Sequence, residues 1–435
     1  MGKDSGNGKE NSMSEEHDFI ELFSKSFEMW SYNNRYYGRL CAHILLGQAL
    51  KYIRIPYGPI HIDPRVSLFL IQPSATGKSV AWDFIRPIAE KAHLRVNDID
   101  EATDAALIGH EDAEEIIDPE TKCKTTVHNV VKGKLAENDL LHYDEGQMLM
   151  RRGQYSQNTL AWFQKALNPI GSGQNICTKN LAHAEIKIQP TCSLLITSHE
   201  IENVLETILN TGFYQRIVLY PRYIPILERK ANEMLRADRF GKTSFTQIDT
   251  DTLGEMLMAI AAKNKDYKVA VDEATVYPLA KQYIDSRYKL IETANERVRE
   301  IMATFIPRYN NLMDIFAMHH SCVKGKAKID MEDIKYGATL SNELFKEVMT
   351  WVEENITLAK LSTREKAYLD RFYQMWYSME KDGYGYINKI AFMKKFNEKW
   401  KITYPTLVRN LEKFAGYGKI KERTVNDTKW IKIEV

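Results

Sequence analysis

The segment SLFLIQPSATGKSVAWDFI, residues 67–85, constrains the fold more than any other part of the chain. An apolar run of strand composition enters a small-residue loop that closes on Gly77, Lys78 and Ser79, and a helical pattern follows at once. Strand, tight loop and helix in this order frame a phosphate loop. Its backbone N–H groups turn toward phosphate oxygens, a lysine reaches the β/γ phosphates, and a hydroxyl meets Mg2+. Pro73, Ser74, Ala75, Thr76, Gly77, Lys78 and Ser79 are therefore the expected nucleotide-binding residues, with ATP and Mg2+ as cofactors. The pattern G-x-x-x-x-G-K-[ST] is incomplete, because Gln72 stands at the first glycine. A structural turn with a surface lysine stays open as the alternative.

From Val66 onward, short apolar strands (VSLFLI, DLLHYD, CSLLIT, RIVLYP) alternate with helical segments, which predicts an α/β layer with a mostly parallel sheet over 61–225. Two acids end the second of these strands. Asp144 is placed to hold Mg2+ through water and Glu145 to activate an attacking water. The third strand ends in Thr197, Ser198 and His199, polar groups in reach of a γ-phosphate, and Arg216 precedes the fourth. An arginine there can stabilise charge on a neighbouring subunit's phosphoryl group; an ordinary strand-flanking arginine is the other reading.

Around this core, a polar lead-in (1–17) precedes a segment at helical spacing within 18–60, and 226–360 reads as a mainly helical lid. Five cysteines are scattered without metal-ligand spacing. No apolar stretch approaches the roughly 20 residues that span a bilayer, and the start carries no apolar leader. The expected location is cytoplasmic or nucleoid-associated, with no membrane partner.

The net charge of +1 hides an asymmetry: residues 361–435 hold 16 Lys/Arg against 9 Asp/Glu, and the rest of the chain holds 43 against 49. This basic end reads as three helices and a terminal hairpin, the grammar of a winged helix. On its third helix Leu407, Val408, Leu411 and Phe414 share one face, leaving Arg409 and Lys413 outside to meet DNA, while Lys419, Lys421, Arg423 and Lys429 lie on the wing. Winged helices also dock proteins, and that reading stays open.

In combination these motifs resemble the AAA+ ATPase fold, and within it the MCM-type (minichromosome maintenance) replicative helicases and their relatives on viruses and plasmids. QPSATGKS is similar to that family's unusual loop, TDAALIGHEDAEEI and VVKGKLAENDLLHYDEG to its passage into the acid-bearing strand, and GFYQRIVLYP to its arginine-finger segment. The resemblance covers about residues 60–350 and implies an AAA+ core with a parallel sheet, a helical lid and a ring of subunits, expected to be a hexamer. It assigns phosphate and Mg2+ to Lys78 and Ser79, metal coordination to Asp144, water polarisation to Glu145, a first sensor to Ser198 or His199, the finger to Arg216 and a second sensor to Arg308. It also places a channel hairpin between Asn168 and Lys187, with Lys179 on DNA phosphates; a surface hairpin whose lysine is only solvated is the other reading. The expected activity is an ATP-dependent DNA helicase or translocase acting in replication of a virus or mobile element. An origin-recognition type initiator and a nucleotide-gated DNA scaffold with little hydrolysis are the alternatives. The resemblance departs from the family in two places: the usual sensor asparagine has no counterpart at Ser198 or His199, and the residues before about 60 are expected to form a helical segment rather than the family's OB domain.

Overall fold

Asp18 opens the first helix: its carboxylate accepts the backbone N–H of Ile20 at 2.9 Å, capping α1 (Phe19–Ser31). Asn34 caps α2 (Arg35–Ala49) in the same way, accepting from Tyr37 N at 2.9 Å. The computed structural model describes residues 18–31, 34–73, 77–100, 102–117, 124–150, 154–199, 212–222, 224, 226–239, 250–359, 363–416, 420–425 and 428–433. Contacts divide the chain into two units, Met1–Trp351 and Val352–Val435.

In the first unit, a short ribbon of β1 (Ile55–Tyr57) and β2 (Ile60–Ile62) leads into β3 (Leu68–Ile71), and α3 (Lys78–Lys91) follows. Then come β4 (Val96–Asp98), an antiparallel hairpin of β5 (Gly109–Ile117) and β6 (Lys124–Lys132), and β7 (Leu140–Asp144). Next are α4 (Gln154–Ala166), a second hairpin of β8 (Cys177–Asn180) and β9 (Glu185–Ile188), β10 (Ser193–Ser198) and β11 (Val218–Pro221). Five of these strands form one parallel sheet in the order β11-β3-β10-β7-β4. All four residues of β3 and all six of β10 are buried, which is why they read as unbroken apolar text: a parallel strand covered on both faces has no solvent side. The chain is thus mixed α/β, with its five-stranded parallel sheet at the centre of this unit.

The helices that follow are α5 (Ile226–Arg239), α6 (Thr250–Lys263), α7 (Glu273–Glu292), α8 (Glu296–Val323) and α9 (Met331–Ala359). Asn295 separates α7 from α8 by capping Val298 N at 3.0 Å. Among the described residues, no helix is long and apolar enough to cross a membrane.

The N-terminal helices belong to this unit's core. Phe23 and Phe27 meet Phe84 of α3 edge-on, with centroids 5.2 and 5.8 Å away, while Gln48 donates to Ser193 Oγ at 2.8 Å and Lys51 pairs with Asp139 at 2.6 Å. His43 on α2 lies with its Nδ1 2.9 Å from Nδ1 of His319 and its Nε2 2.9 Å from the Tyr336 hydroxyl. Two facing ring nitrogens need one donor and one acceptor, so the pair cannot be doubly charged.

Burial pulls His319 down to about 3, and burial together with its histidine neighbours and Arg39 holds His43 well below the usual range. Between pH 6.5 and about 3 the unfolded chain binds protons that the folded chain refuses, so stability falls as pH falls through that window. At pH 5, His319 alone removes about 2 kcal/mol. His43 adds to this, while Asp314, raised by burial to about 6, returns about 1 kcal/mol. The melting temperature should therefore drop by several degrees between pH 7 and pH 5; a flat profile would contradict this reading of the pair.

The second unit holds α10 (Thr363–Ser378), β12 (Ile387–Asn388), α11 (Lys389–Trp400), α12 (Tyr404–Gly416), β13 (Ile420–Val425) and β14 (Thr428–Ile433). Its antiparallel sheet has the order β12-β14-β13, and the helices close over a core that includes Phe372, Phe392, Phe396, Leu407, Leu411, Phe414 and Ile431. The two-residue strand β12 is an addition to the expected hairpin.

Candidate functional site

The carboxyl end of β3 delivers the chain to Gln72, which is buried and whose N–H donates to Ser198 O at 3.0 Å, and then to Pro73. Ser74, Ala75 and Thr76 lie outside the described residues. Gly77 has φ +83° at the N-cap of α3, a left-handed geometry in which a Cβ is strained. The first-turn N–H groups of α3, at Lys78, Ser79 and Val80, have no intrahelical acceptor, so this end of the helix favours an anion. Lys78 folds back across the loop, its Nζ donating to the carbonyls of Gln72 at 3.1 Å and Pro73 at 3.3 Å. Burial lowers its pKa, and the nearby Asp144 works in the opposite direction. Ser79 is exposed.

Two strands away, β7 ends in exposed Asp144, followed by Glu145 at φ +77°. Between them lies β10. Register sets Thr197 beside both Leu70 and Asp144, and its hydroxyl donates to Asp144 Oδ1 at 2.5 Å. Ser198 is buried, with its hydroxyl on the carbonyl of His199, and His199 is exposed. Thr197 is thus the residue that holds the acid. Just past Glu145, Gly146 packs its backbone against the sheet: a Cβ there would lie 2.3 Å from the Phe69 ring and 2.6 Å from the Ile196 side chain, so no larger residue fits without a shift.

At the other end of the sheet is a cavity of about 370 Å³. Among its lining residues, Ser67, Cys192 and Arg216 precede β3, β10 and β11, so it opens at the amino ends of parallel strands whose carboxyl ends carry Lys78 and Asp144. A four-residue strand at about 3.3 Å per residue puts roughly 13 Å of sheet between the two places. Arg216 donates to Asn168 Oδ1 at 2.9 Å and to Gly212 O at 2.6 Å, and burial lowers its pKa. Arg308, on α8, lines the same cavity, and burial pushes it down to about 10 against the attraction of Asp63. Its Nε makes no hydrogen bond among the described residues. Arg65 has a structural task there, pairing with Asp63 at 2.8 Å and donating to the carbonyls of Ala166, Cys192 and Asn168.

The fold therefore brings Lys78, Ser79, Asp144 and Glu145 to the carboxyl end of the sheet, with Ser198 and His199, and brings Arg216 and Arg308 together at its amino end. Within one chain the two groups do not meet.

Of the residues expected at DNA, Lys179 is half-buried and donates to Gly109 O at 2.8 Å, so its ammonium is engaged inside the chain. Lys187, on the partner strand of that hairpin, is exposed. In the second unit Leu407, Leu411 and Phe414 are buried while Arg409 and Lys413 are exposed on the other side of α12, and Lys421 and Lys429 are exposed on the sheet. Arg423 is taken: it pairs with Asp382 and lies 4.2 Å from the Tyr386 ring centroid. Lys419 lies outside the described residues.

Sequence reasoning missed two features, the Thr197–Asp144 contact and a cluster of Glu111, His128 and His183 between the two hairpins. A polar residue at the end of a buried strand was the only signal for the first. Nothing in the sequence signals the second, whose members are 17 and 55 residues apart. No protein-family model matches this chain, and no curated protein is significantly similar to it.

Proposed function

We propose that this chain is an ATP-dependent DNA motor of the AAA+ class, resembling MCM-type replicative helicases, that works as a ring of subunits. One observation carries the reading: Lys78, Ser79, Asp144 and Glu145 lie at the carboxyl end of one parallel sheet and Arg216 and Arg308 at its amino end, an arrangement we read as two halves of one site. A head-to-tail ring repeats one heterologous interface, and such an interface can set the arginine end of each subunit against the phosphate-loop end of the next. Lys78 and the first turn of α3 would hold the ATP phosphates. Ser79 and, through water, Asp144 would hold Mg2+, which supplies charge neutralisation on the phosphates. Glu145 would take the proton of the attacking water, with Thr197 fixing the neighbouring Asp144. Arg216 and Arg308 of the adjoining subunit would offset the charge that develops on the transferred group.

The exposed Lys187 on the β8–β9 hairpin supports a channel role for that hairpin better than Lys179 does. The three helices and antiparallel sheet of the second unit support a winged helix, with Arg409 and Lys413 facing the duplex. Buried Gln72 at the first glycine of the loop favours a second reading, a DNA scaffold gated by bound ATP.

Steady-state ATP hydrolysis with and without single-stranded DNA, alongside mass in solution, separates the two. Turnover raised by DNA in a ring-sized assembly is expected; ATP binding without turnover would move the assignment to the scaffold.

A further inference from the structure

Hairpin β5–β6 was not foreseen from the sequence, and it meets the tip of hairpin β8–β9. In its register Glu111 lies opposite Val130 and His128 opposite Ala113, so Glu111 and His128 are diagonal neighbours on one face. The second hairpin closes with Leu181 N donating to Ala184 O at 2.8 Å, which sets His183 in its two-residue turn. The hairpins approach closely at Gly109, where a Cβ would lie 2.9 Å from Ile186 Cδ1 and 2.2 Å from Val131 O.

The three side chains converge tightly. Glu111 Oε1 lies 2.6 Å from His128 Nδ1 and 2.7 Å from His183 Nδ1, and the backbone N–H of His183 donates to Glu111 Oε2 at 3.2 Å. The two imidazoles stack with centroids 4.0 Å apart. An ionised carboxylate only accepts, so both Nδ1 atoms carry hydrogen in this arrangement. Burial, which opposes the charge on Glu111, is outweighed by the hydrogen bonds from His183, and its carboxyl lies below the usual value.

We propose that Glu111, His128 and His183 form a Zn2+ site that clamps the β5–β6 hairpin to the tip of the β8–β9 hairpin. All three ligand atoms lie within 4.8 Å of one another. A tetrahedral Zn2+ at about 2.0–2.1 Å from its ligands sets them about 3.4 Å apart, so modest side-chain rotations admit the ion. As the ion binds, each Nδ1 proton moves to Nε2 in a neutral imidazole, or to solvent from an imidazolium, and the freed lone pair takes the metal. Two imidazoles and one carboxylate suit zinc, whereas Mg2+ and Ca2+ prefer oxygen ligands. His110 and Asp112 flank Glu111 in sequence, and strand alternation sends them to the other face of β5, so the fourth position is left to water. The ion would make one body of two hairpins. This site does not depend on the nucleotide reading.

The test is titration of the metal-free full-length protein with Co2+, whose visible spectrum separates four-coordinate from six-coordinate binding, followed by displacement with Zn2+. One equivalent of four-coordinate Co2+, released by Zn2+, is expected. His128→Ala and His183→Ala should each weaken Zn2+ binding by at least ~100-fold, more than loss of a supporting hydrogen bond causes. Glu111→Gln, which keeps the side chain's size, should also weaken it, while His110→Ala should leave it unchanged. Melting curves of the metal-free variants should overlay the wild type, because His128 and His183 sit on solvent-facing hairpin positions. A six-coordinate spectrum, or equal affinity in wild type and His183→Ala, or equal losses in His110→Ala and His183→Ala, overturns the site.

Discussion

Replacing Arg216 with alanine should cut the kcat of ATP hydrolysis by roughly 10³-fold, the low end of what an arginine supplied across an interface contributes to phosphoryl transfer. ATP affinity should barely change, because the arginine would offset charge that develops on the neighbouring subunit's phosphoryl group only in the transition state. The side chain is poised for this work: Asn168 and the Gly212 carbonyl fix the guanidinium at the cavity wall, and Arg308 reaches the same space. Arg216→Lys keeps the charge and loses the planar fork, so it should recover only a small part of the rate. Single-turnover hydrolysis and equilibrium binding of a labelled ATP analogue, measured on the same ring-sized fraction, separate the two parameters. A large loss of affinity with an unchanged rate would place Arg216 in binding or in folding.

A second pair of substitutions divides binding from chemistry at the other end of the sheet. Lys78→Ala removes a cation that reaches the loop from the first turn of α3, and with it the charge-assisted bonds to phosphate; affinity for ATP should fall by on the order of 10²-fold. Glu145→Gln keeps the shape of the site and removes the proton acceptor, so binding should persist while turnover drops by about 10²–10⁴-fold. Glu145 is exposed at the carboxyl end of the sheet and bears no packing role that the substitution would disturb. Unchanged turnover in Glu145→Gln would remove it from the catalytic assignment, and unchanged affinity in Lys78→Ala would make the loop a structural turn.

Much of the scaffold can be read from the residues. LFLI and SLLITS announce strands of a parallel sheet, the apolar spacing after residue 18 announces helix, and the apolar stripe of Leu407, Leu411 and Phe414 announces which side of α12 packs. The order of strands is less legible, since β4 has only three residues and β12 only two, too short for an alternating pattern to stand out. Hairpin β5–β6 escaped notice because its first strand carries a run of acids, which reads as solvated helix as readily as strand.

The packing of α1 and α2 into the core depends on His43, Gln48 and Lys51 finding partners far along the chain, at His319, Ser193 and Asp139. The same limit applies to the candidate site. Lys78, Asp144 and Glu145 are visible as local motifs, whereas the shared cavity of Arg216 and Arg308 and the grip of Thr197 on Asp144 exist only after the sheet has formed. Arg423 illustrates the converse: a basic residue on a basic surface, it is spent on Asp382 and an aromatic wall.

If the two ends of the sheet complete each other between subunits, mixing two inactive variants should restore activity. Lys78→Ala and Arg216→Ala proteins are combined in equal amounts, allowed to exchange subunits, and assayed for ATP hydrolysis at an ATP concentration that saturates the wild type but lies well below the Kd of Lys78→Ala, where each variant alone is nearly inactive. Random rings then contain intact composite sites at about a quarter of their interfaces, wherever an Arg216→Ala subunit offers its loop to a Lys78→Ala neighbour, and activity should return to about that fraction of the wild type. A mixture as inactive as its two parts, with both variants forming assemblies of wild-type mass, would mean that no site is shared between subunits.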